Sequence, residues 1–453
     1  MTTETKVPIA KATLASRADD VLDRWRSMFG ATARKGLASL ADQSVVSGTR
    51  FLMTILLGRL CGADELGIYS LGFSILMIIQ CVQQSLISGP YTVFGHRYRG
   101  SARVEFSGST LVHSGLLAVA ATACLGVCAI LVTVVSGEQS LSPLFWILTA
   151  IVPLILLREF ARQFAFAHLA IKMALLLDVI VAAVQISGIA ILAVNGLLSA
   201  FTAYCATGAA CGLAGLAWYG RNRASFAIQP SRITADFRQN WNLGKWDLAS
   251  ETAATFQNYG LYWLLALLAG NAATGVFAAC MTVMLLANPF VLGLGNVFTP
   301  RAAQTFAQDG RSGLRRIIWK TTLVLGGALA LFCGVVILFG DEILMMVYGE
   351  GEFAGKGKIV TVLAISTYAA ILAYGPEMAL WIMQRPDINF RNSLFGLFVT
   401  LMSTFLLLPR YGVLGAAYAL LAGRSVVLLA TFLAYRKMIR AVSIPPEDEP
   451  QTA

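Results

Sequence analysis

Charge is what this sequence has little of. Acidic and basic side chains make up 13% of its 453 residues, against about a quarter in a soluble domain. Histidine is nearly absent: His96, His113 and His168 stand far apart in sequence and offer no metal-ligand spacing. The eight cysteines (Cys61, Cys81, Cys124, Cys128, Cys205, Cys211, Cys280 and Cys333) contain no Cys-x-x-Cys pair and read as small apolar packing residues. No Gly-x-x-x-x-Gly-Lys-Ser/Thr loop occurs, which excludes nucleotide hydrolysis of the Walker kind. The first 35 residues are polar, with charges of both signs, and so do not form a secretory signal.

What the chain has instead is apolar length. It is 57% hydrophobic with a mean hydropathy of +0.70, and runs long enough to cross a bilayer recur almost to its C-terminal end. The reading is an all-α integral membrane protein of about twelve spans, at 37–60, 66–88, 109–135, 142–163, 171–194, 197–219, 246–269, 272–298, 318–340, 358–383, 390–408 and 413–435. With the N-terminus in the cytoplasm, 28 of the 34 Lys and Arg fall on the cytoplasmic side and 4 on the other, with Arg50 and Arg424 inside spans. This asymmetry explains the net charge of +10 without nucleic acid and places both termini in the cytoplasm.

Two halves are visible. Leu56–Gly72 aligns with Leu264–Cys280, matching Gly62 with Gly270 and Gly67 with Gly275. "VNGLLSA" (Val194–Ala200) aligns with "RYGVLGA" (Arg410–Ala416), eight residues further displaced, in keeping with a longer 341–357 loop. Parallel halves of six spans predict two helical bundles around a central cavity. The division is a cytoplasmic segment 1–36, a bundle 37–219, a basic linker 220–245, a bundle 246–435 and a tail 436–453. The linker, interrupted by Pro230, reads as a surface connection with an amphipathic helix on the headgroups. The acidic, proline-rich "IPPEDEPQTA" is expected to be disordered.

Ionisable side chains inside spans must face protein or a water-filled cavity. Here they are Asp42, Arg50, Asp178, Asp247, Glu251, Glu377 and Arg424. Asp42 and Arg50 differ by about 80° of helical rotation and can line one broad face. Gln80, Gln83 and Gln84 stripe the second span. Asp247, Glu251, Thr255 and Asn258 stripe the seventh, and Asn288-Pro289 breaks the eighth. A shared cavity accounts for the polarity of these corresponding spans. Arg50 suits a phosphate-bearing ligand; Asp247, Glu251, Asp178 and Glu377 are candidates for H⁺ or Na⁺ coupling, no other cofactor being expected. An internal salt bridge that only fixes packing is the alternative, and for Glu377 a kink at Pro376.

"SGTRFLMTILLGRLCGADELGIYSLGFSIL", "FTPRAAQTFAQ", "ILMMVYGEGEFAGKGKIV" and "LPRYGVLGAAYALLAG", from about residue 36 to 435, resemble landmarks of the Wzx-type flippases. These are polysaccharide transporters of the multidrug/oligosaccharidyl-lipid/polysaccharide (MOP) superfamily. The resemblance implies a lipid-linked substrate, an undecaprenyl-pyrophosphate oligosaccharide moved across a bacterial inner membrane, with a polysaccharide polymerase and chain-length regulator as further partners. It also implies a cationic cavity. Only Arg50 stands where a first-span arginine is expected; its repeat counterpart is Asn258, so a second cation is sought in Arg424 or Arg301. Competing readings are a cation-coupled multidrug exporter, a peptidoglycan-precursor flippase, which would typically carry two more spans, and a non-transporting scaffold. Enzyme readings fail because the largest outward loop has 17 residues and its acids, Asp341, Glu342, Glu350 and Glu352, lie on the side opposite the cytoplasm.

Overall fold

The computed structural model describes residues 10–136 and 141–440. Residues 1–9 of the expected cytoplasmic segment, and 441–453 of the tail expected to be disordered, lie outside the described residues.

The fold is all-α, with no strand among the described residues. Its helices are α1 (Ala10–Gln83), continued through a π turn (Gln84–Ser88) into α2 (Gly89–Phe94), then α3 (Ser101–Leu131), α4 (Ser142–Ala167), α5 (Ile171–Val194) and α6 (Ala200–Asn222). The second half has α7 (Pro230–Ala269), α8 (Asn271–Leu285), α9 (Asn288–Leu338), the short α10 (Gly340–Tyr348), α11 (Gly357–Ile382), α12 (Pro386–Tyr411) and α13 (Val413–Arg440). Two of these fold over at a glycine, α1 at Gly62 and α9 at Gly310. α8 and the first limb of α9 form one span broken at residues 286–287. Counted by limbs, the described residues make twelve passes, in two six-helix bundles around a central cavity.

The repeat is written in the turns. A backbone with φ between +55° and +88° recurs at Gly62 and Gly270, at Gly100 and Gly310, at Leu169 and Gln384, and at Gly196 and Gly412. Each pair occupies the same turn in the two halves. Left-handed φ is costly for a residue with a Cβ, so agreement at Leu169 and Gln384 is as informative as agreement at the glycines. The separation within pairs grows between the second and third pair, where the second half carries α10 and its loop.

The halves meet through Gly67 and Gly275. A Cβ built on Gly67 would strike the Asn271 carbonyl, and one on Gly275 the Ala63 carbonyl. The contact is reciprocal about a pseudo-twofold axis, and only glycine lets two helix backbones approach so closely. From the C-terminal half, α10 and the loop after it reach across this crossing: Ala63 N–H donates to Glu352 Oε2 at 2.7 Å, and Tyr348 packs on Gly58.

The linker differs from its expected form. Pro230 starts α7 rather than interrupting a surface helix, because the first position of a helix has no use for the missing N–H. Residues 230–245 are the basic end of span seven, packed on the first half with Asp236 and Asn240 buried. His113 Nε2 lies 2.9 Å from the Ile233 carbonyl, and Arg232 pairs with Glu105 at 2.8 Å.

The crossing yields a prediction. Gly67→Val and Gly275→Val should each lower the thermal unfolding midpoint in detergent, with an overpacking cost of about 1–3 kcal/mol or more. Gly115→Val should leave it unchanged, since nothing lies within 4 Å of that position.

Candidate functional site

Below the glycine crossing the halves diverge around a cavity of about 210 Å³. Its walls come from span one (Arg50, Thr54), the second limb of α1 (Tyr69, Ser70, Phe73), α7 (Asn258, Tyr259, Tyr262), α8 and the α8–α9 break (Thr282, Asn288), α11 (Thr367) and α13 (Arg424). The break opens because Asn288-Pro289 restarts the helix, Pro289 supplying no N–H to continue the α8 ladder.

Arg50 and Arg424 face this space from opposite halves, and among the described residues neither has a carboxylate within ion-pair distance. The Arg50 guanidinium lies 4.5 Å over the Phe73 ring. Arg424 donates to Asn258 Oδ1 at 2.8 Å, Thr367 Oγ1 at 3.3 Å and Ser366 Oγ at 3.5 Å, all neutral acceptors. Asn258, the repeat counterpart of Arg50, therefore orients the second arginine. Stacking and neutral hydrogen bonds hold the two charges in place without cancelling them, and the π face and planar fork leave donors for an oxyanion.

Each arginine also borders a side chamber in its own half. Arg424 joins a chamber of about 400 Å³ lined by Asp247, Glu251 and Glu377, with Asn258, Trp246 and Trp381. None of these three acids has an ion pair among the described residues. Arg50 joins one of about 110 Å³ with Gln80, Tyr69, Arg158 and Asp178.

Four sequence expectations are corrected here. Asp42 does not share a cavity face with Arg50: it is fully buried, and its Oδ2 accepts from Arg162 at 2.7 Å. Asp178 is not free for a coupling ion: Arg162 Nε holds one oxygen at 2.8 Å and Arg158 donates to the other. Gln83 is buried, donating to Ser114 Oγ and the Leu156 carbonyl, and Gln84 is exposed and lines none of these chambers. Successive residues on a helix point about 100° apart, so Gln83 and Gln84 take different sides and the expected stripe splits. Arg301 is exposed on α9, away from the cavity.

Arg158 and Arg162 lie inside α4 within a buried network with Glu159, Asp178 and Asp42. Their i, i+4 spacing in an apolar helix, with Glu159 beside them, was the available signal. The cavity aromatics Tyr69, Phe73, Tyr259 and Tyr262 carried no such signal, since aromatics on membrane helices are mostly packing residues.

No family model matches the chain. A curated protein of Staphylococcus aureus named as a capsular polysaccharide biosynthesis protein, CapF, is 22% identical over 171 residues, which are 37% of this chain and 42% of that protein. The match thus spans less than half of the relative's length. An inward-facing multidrug resistance MATE family transporter of the MOP superfamily superposes with a TM-score of 0.71 at 14% identity, over 89% of this chain and 94% of its own. An outward-facing structure of such a transporter gives 0.67 over 90% and 95%, also at 14% identity. A MOP superfamily transporter from Pyrococcus furiosus, described as having a binding pocket of reverse polarity, gives 0.69 at 14% identity over 90% and 95%. The chain is a multi-pass membrane protein with the fold of the MOP transporters.

Its two kinds of intramembrane arginine should separate in a stability measurement. Arg162→Met strands Asp42 and Asp178, and should destabilise the protein by about 3 kcal/mol or more. Arg50→Met strands no acid and should change the unfolding free energy in detergent by less than about 1 kcal/mol.

Proposed function

We propose that this protein is a flippase for polyprenyl-pyrophosphate-linked oligosaccharides. In this reading it moves repeat units across a bacterial inner membrane, from the cytoplasmic leaflet outward, for the assembly of a surface polysaccharide. The observation that carries it is the pair Arg50 and Arg424, one from each half, facing a single cavity with no carboxylate partner among the described residues. Carrying a doubly phosphorylated headgroup through hydrocarbon is otherwise prohibitive. Two guanidiniums on opposite walls supply bidentate donors to both phosphates. The likeness to a capsular polysaccharide biosynthesis protein supports the same substrate class.

The mechanism is alternating access. The halves cross at Gly67 and Gly275 and stay in contact at the basic end through α7, which packs on α3; in this reading the headgroup enters the cavity from the basic, cytoplasmic side beside that contact. The polyprenyl chain stays in lipid between the halves. Pyrophosphate bridges Arg50 and Arg424, drawing the halves together, and rocking about the crossing opens the opposite face and releases the glycan. The unpaired Asp247, Glu251 and Glu377 beside Arg424 would let H⁺ or Na⁺ binding bias the position of that arginine. This chamber, with Trp246 and Trp381, also gives the second reading its support: acids and aromatics suit export of an organic cation. Arg424 on its wall and Arg50 in the adjoining cavity repel such a substrate.

The test uses a deletion strain complemented with variants, membrane levels being verified. Arg50→Ala and Arg424→Ala should each cut polymer assembly at least about 10-fold, the scale of a lost charge-assisted hydrogen bond. Lipid-linked repeat units should accumulate in the cytoplasmic leaflet, and Arg50→Lys should retain part of the activity. Normal polymer in the alanine variants, with altered drug tolerance, would favour the exporter.

A further inference from the structure

Each half has a groove at its basic end, and the halves fill it differently. In the first half the walls are α3 and α6 and the floor is α4. The chain itself fills this groove. Phe226, just past the 3₁₀ turn Arg223–Ser225, packs against Phe164, Trp218 and Phe160 at ring distances of 5.3, 5.8 and 6.2 Å. Ala227 N–H donates to the Val104 carbonyl at 3.1 Å, and Gly108 leaves no space for a Cβ against the Ala227 carbonyl.

In the second half the walls are the second limb of α9 and α13, and the floor is α11. Carried over through the paired turns, Phe160, Phe164 and Trp218 become Gly375, Ala379 and Ala434. Small residues stand where the first half has its aromatic plug. There α9 closes on α11: a Cβ on Gly375 would strike Thr322 Oγ1, and Ala379 is fully buried. Beside this contact a groove of about 940 Å³ stays open between α9 and α13. Trp319 and Leu429, both in its lining, are 63% and 60% exposed, so it opens to the outside of the bundle rather than to the central cavity.

Its charge is one-sided. Arg315, Arg316, Arg436 and Arg440 line the basic end, with no acidic residue in the lining among the described residues, and Arg436 rests 5.7 Å over the Phe432 ring. From Arg440 to Ser425 at the far end the groove runs four turns of α13, about 22 Å at 1.5 Å per residue. That spans the headgroup zone and most of one leaflet.

We propose that this groove binds one anionic phospholipid of the leaflet on the basic side. An acyl chain lies between α9 and α13 along Leu372 and Phe432, and the phosphate is held by Arg315 and Arg316. The lipid braces α9 against α13, which otherwise touch mainly through α11. The site lies outside the central cavity, so it stands or falls independently of the transported substrate.

The test titrates phosphatidylglycerol and phosphatidylcholine into the purified full chain and counts retained lipid by native mass spectrometry. One phosphatidylglycerol should be retained about 10-fold more tightly than phosphatidylcholine, the contribution of one to two arginines near a membrane surface. Arg315→Gln/Arg316→Gln should abolish the preference. Ser425→Trp, or Leu429→Trp should that variant not fold, should block the chain's seat with every arginine intact and release the lipid. Equal retention of the two phospholipids, or retention unchanged by the tryptophan variant, would overturn the proposal. So would tighter phosphatidylglycerol binding after removal of residues 441–453, which would make the tail with Glu447, Asp448 and Glu449 the occupant. Displacement by a polyprenyl pyrophosphate at lower concentration than competing phospholipid would assign the groove to the substrate lipid and overturn it equally.

Discussion

A guanidinium at bilayer depth, without an anion beside it, costs about 3 kcal/mol on insertion scales. The rest of this structure is organised around where such charges are paired and where they are not. In α4 the two arginines are surrounded: Arg158 and Arg162 meet Glu159, Asp178 and Asp42 inside the first bundle, and the cluster ties span one to α4 and α5. Around the central cavity, among the described residues, the arginines meet only neutral partners, the Phe73 ring for Arg50 and amide or hydroxyl oxygens for Arg424. The same residue type thus serves as a fastener in one place and as a standing positive potential in another. The difference is the presence of a carboxylate within reach.

The internal repeat supplies the frame on which this contrast is built, and its departures from symmetry are where function concentrates. The turns repeat faithfully, down to the left-handed φ of Leu169 and Gln384. The crossing repeats as well, Gly67 on Gly275. Side chains do not. Arg50 corresponds to Asn258, which holds an arginine from another helix. The buried ionic cluster of the first half faces an open acidic chamber in the second. The aromatic plug around Phe226 has its counterpart in an open groove rimmed by arginines. A duplicated backbone lets one half be packed for rigidity while the other keeps polar and open space.

Much of this was legible from the order of residues. Long apolar runs and the placement of Lys and Arg define a membrane bundle, because hydrocarbon tolerates little else. The glycine spacing exposed the repeat, because a turn with left-handed φ and a backbone crossing both demand glycine. Charge within a span marked Arg50, Arg424 and the acids of span seven as residues requiring a partner or a cavity. The linker was misread because proline marks a helix start as well as an interruption. The Gln80–Gln84 stripe divides because successive residues on a helix point about 100° apart, so Gln83 and Gln84 do not share a face.

The sequence by itself determined the membrane class, the number of passes, the twofold plan and the set of ionisable residues that had to be explained. Each of these follows from composition and period, which are properties of neighbours along the chain. Only the tertiary structure decided which charges cancel. Asp42 lies eight residues from Arg50 in sequence, yet it pairs with Arg162, 120 residues away, and Arg424 lies 166 residues from the Asn258 that orients it. Electrostatic pairing depends on distances of a few ångströms across helices, and no local pattern encodes those distances.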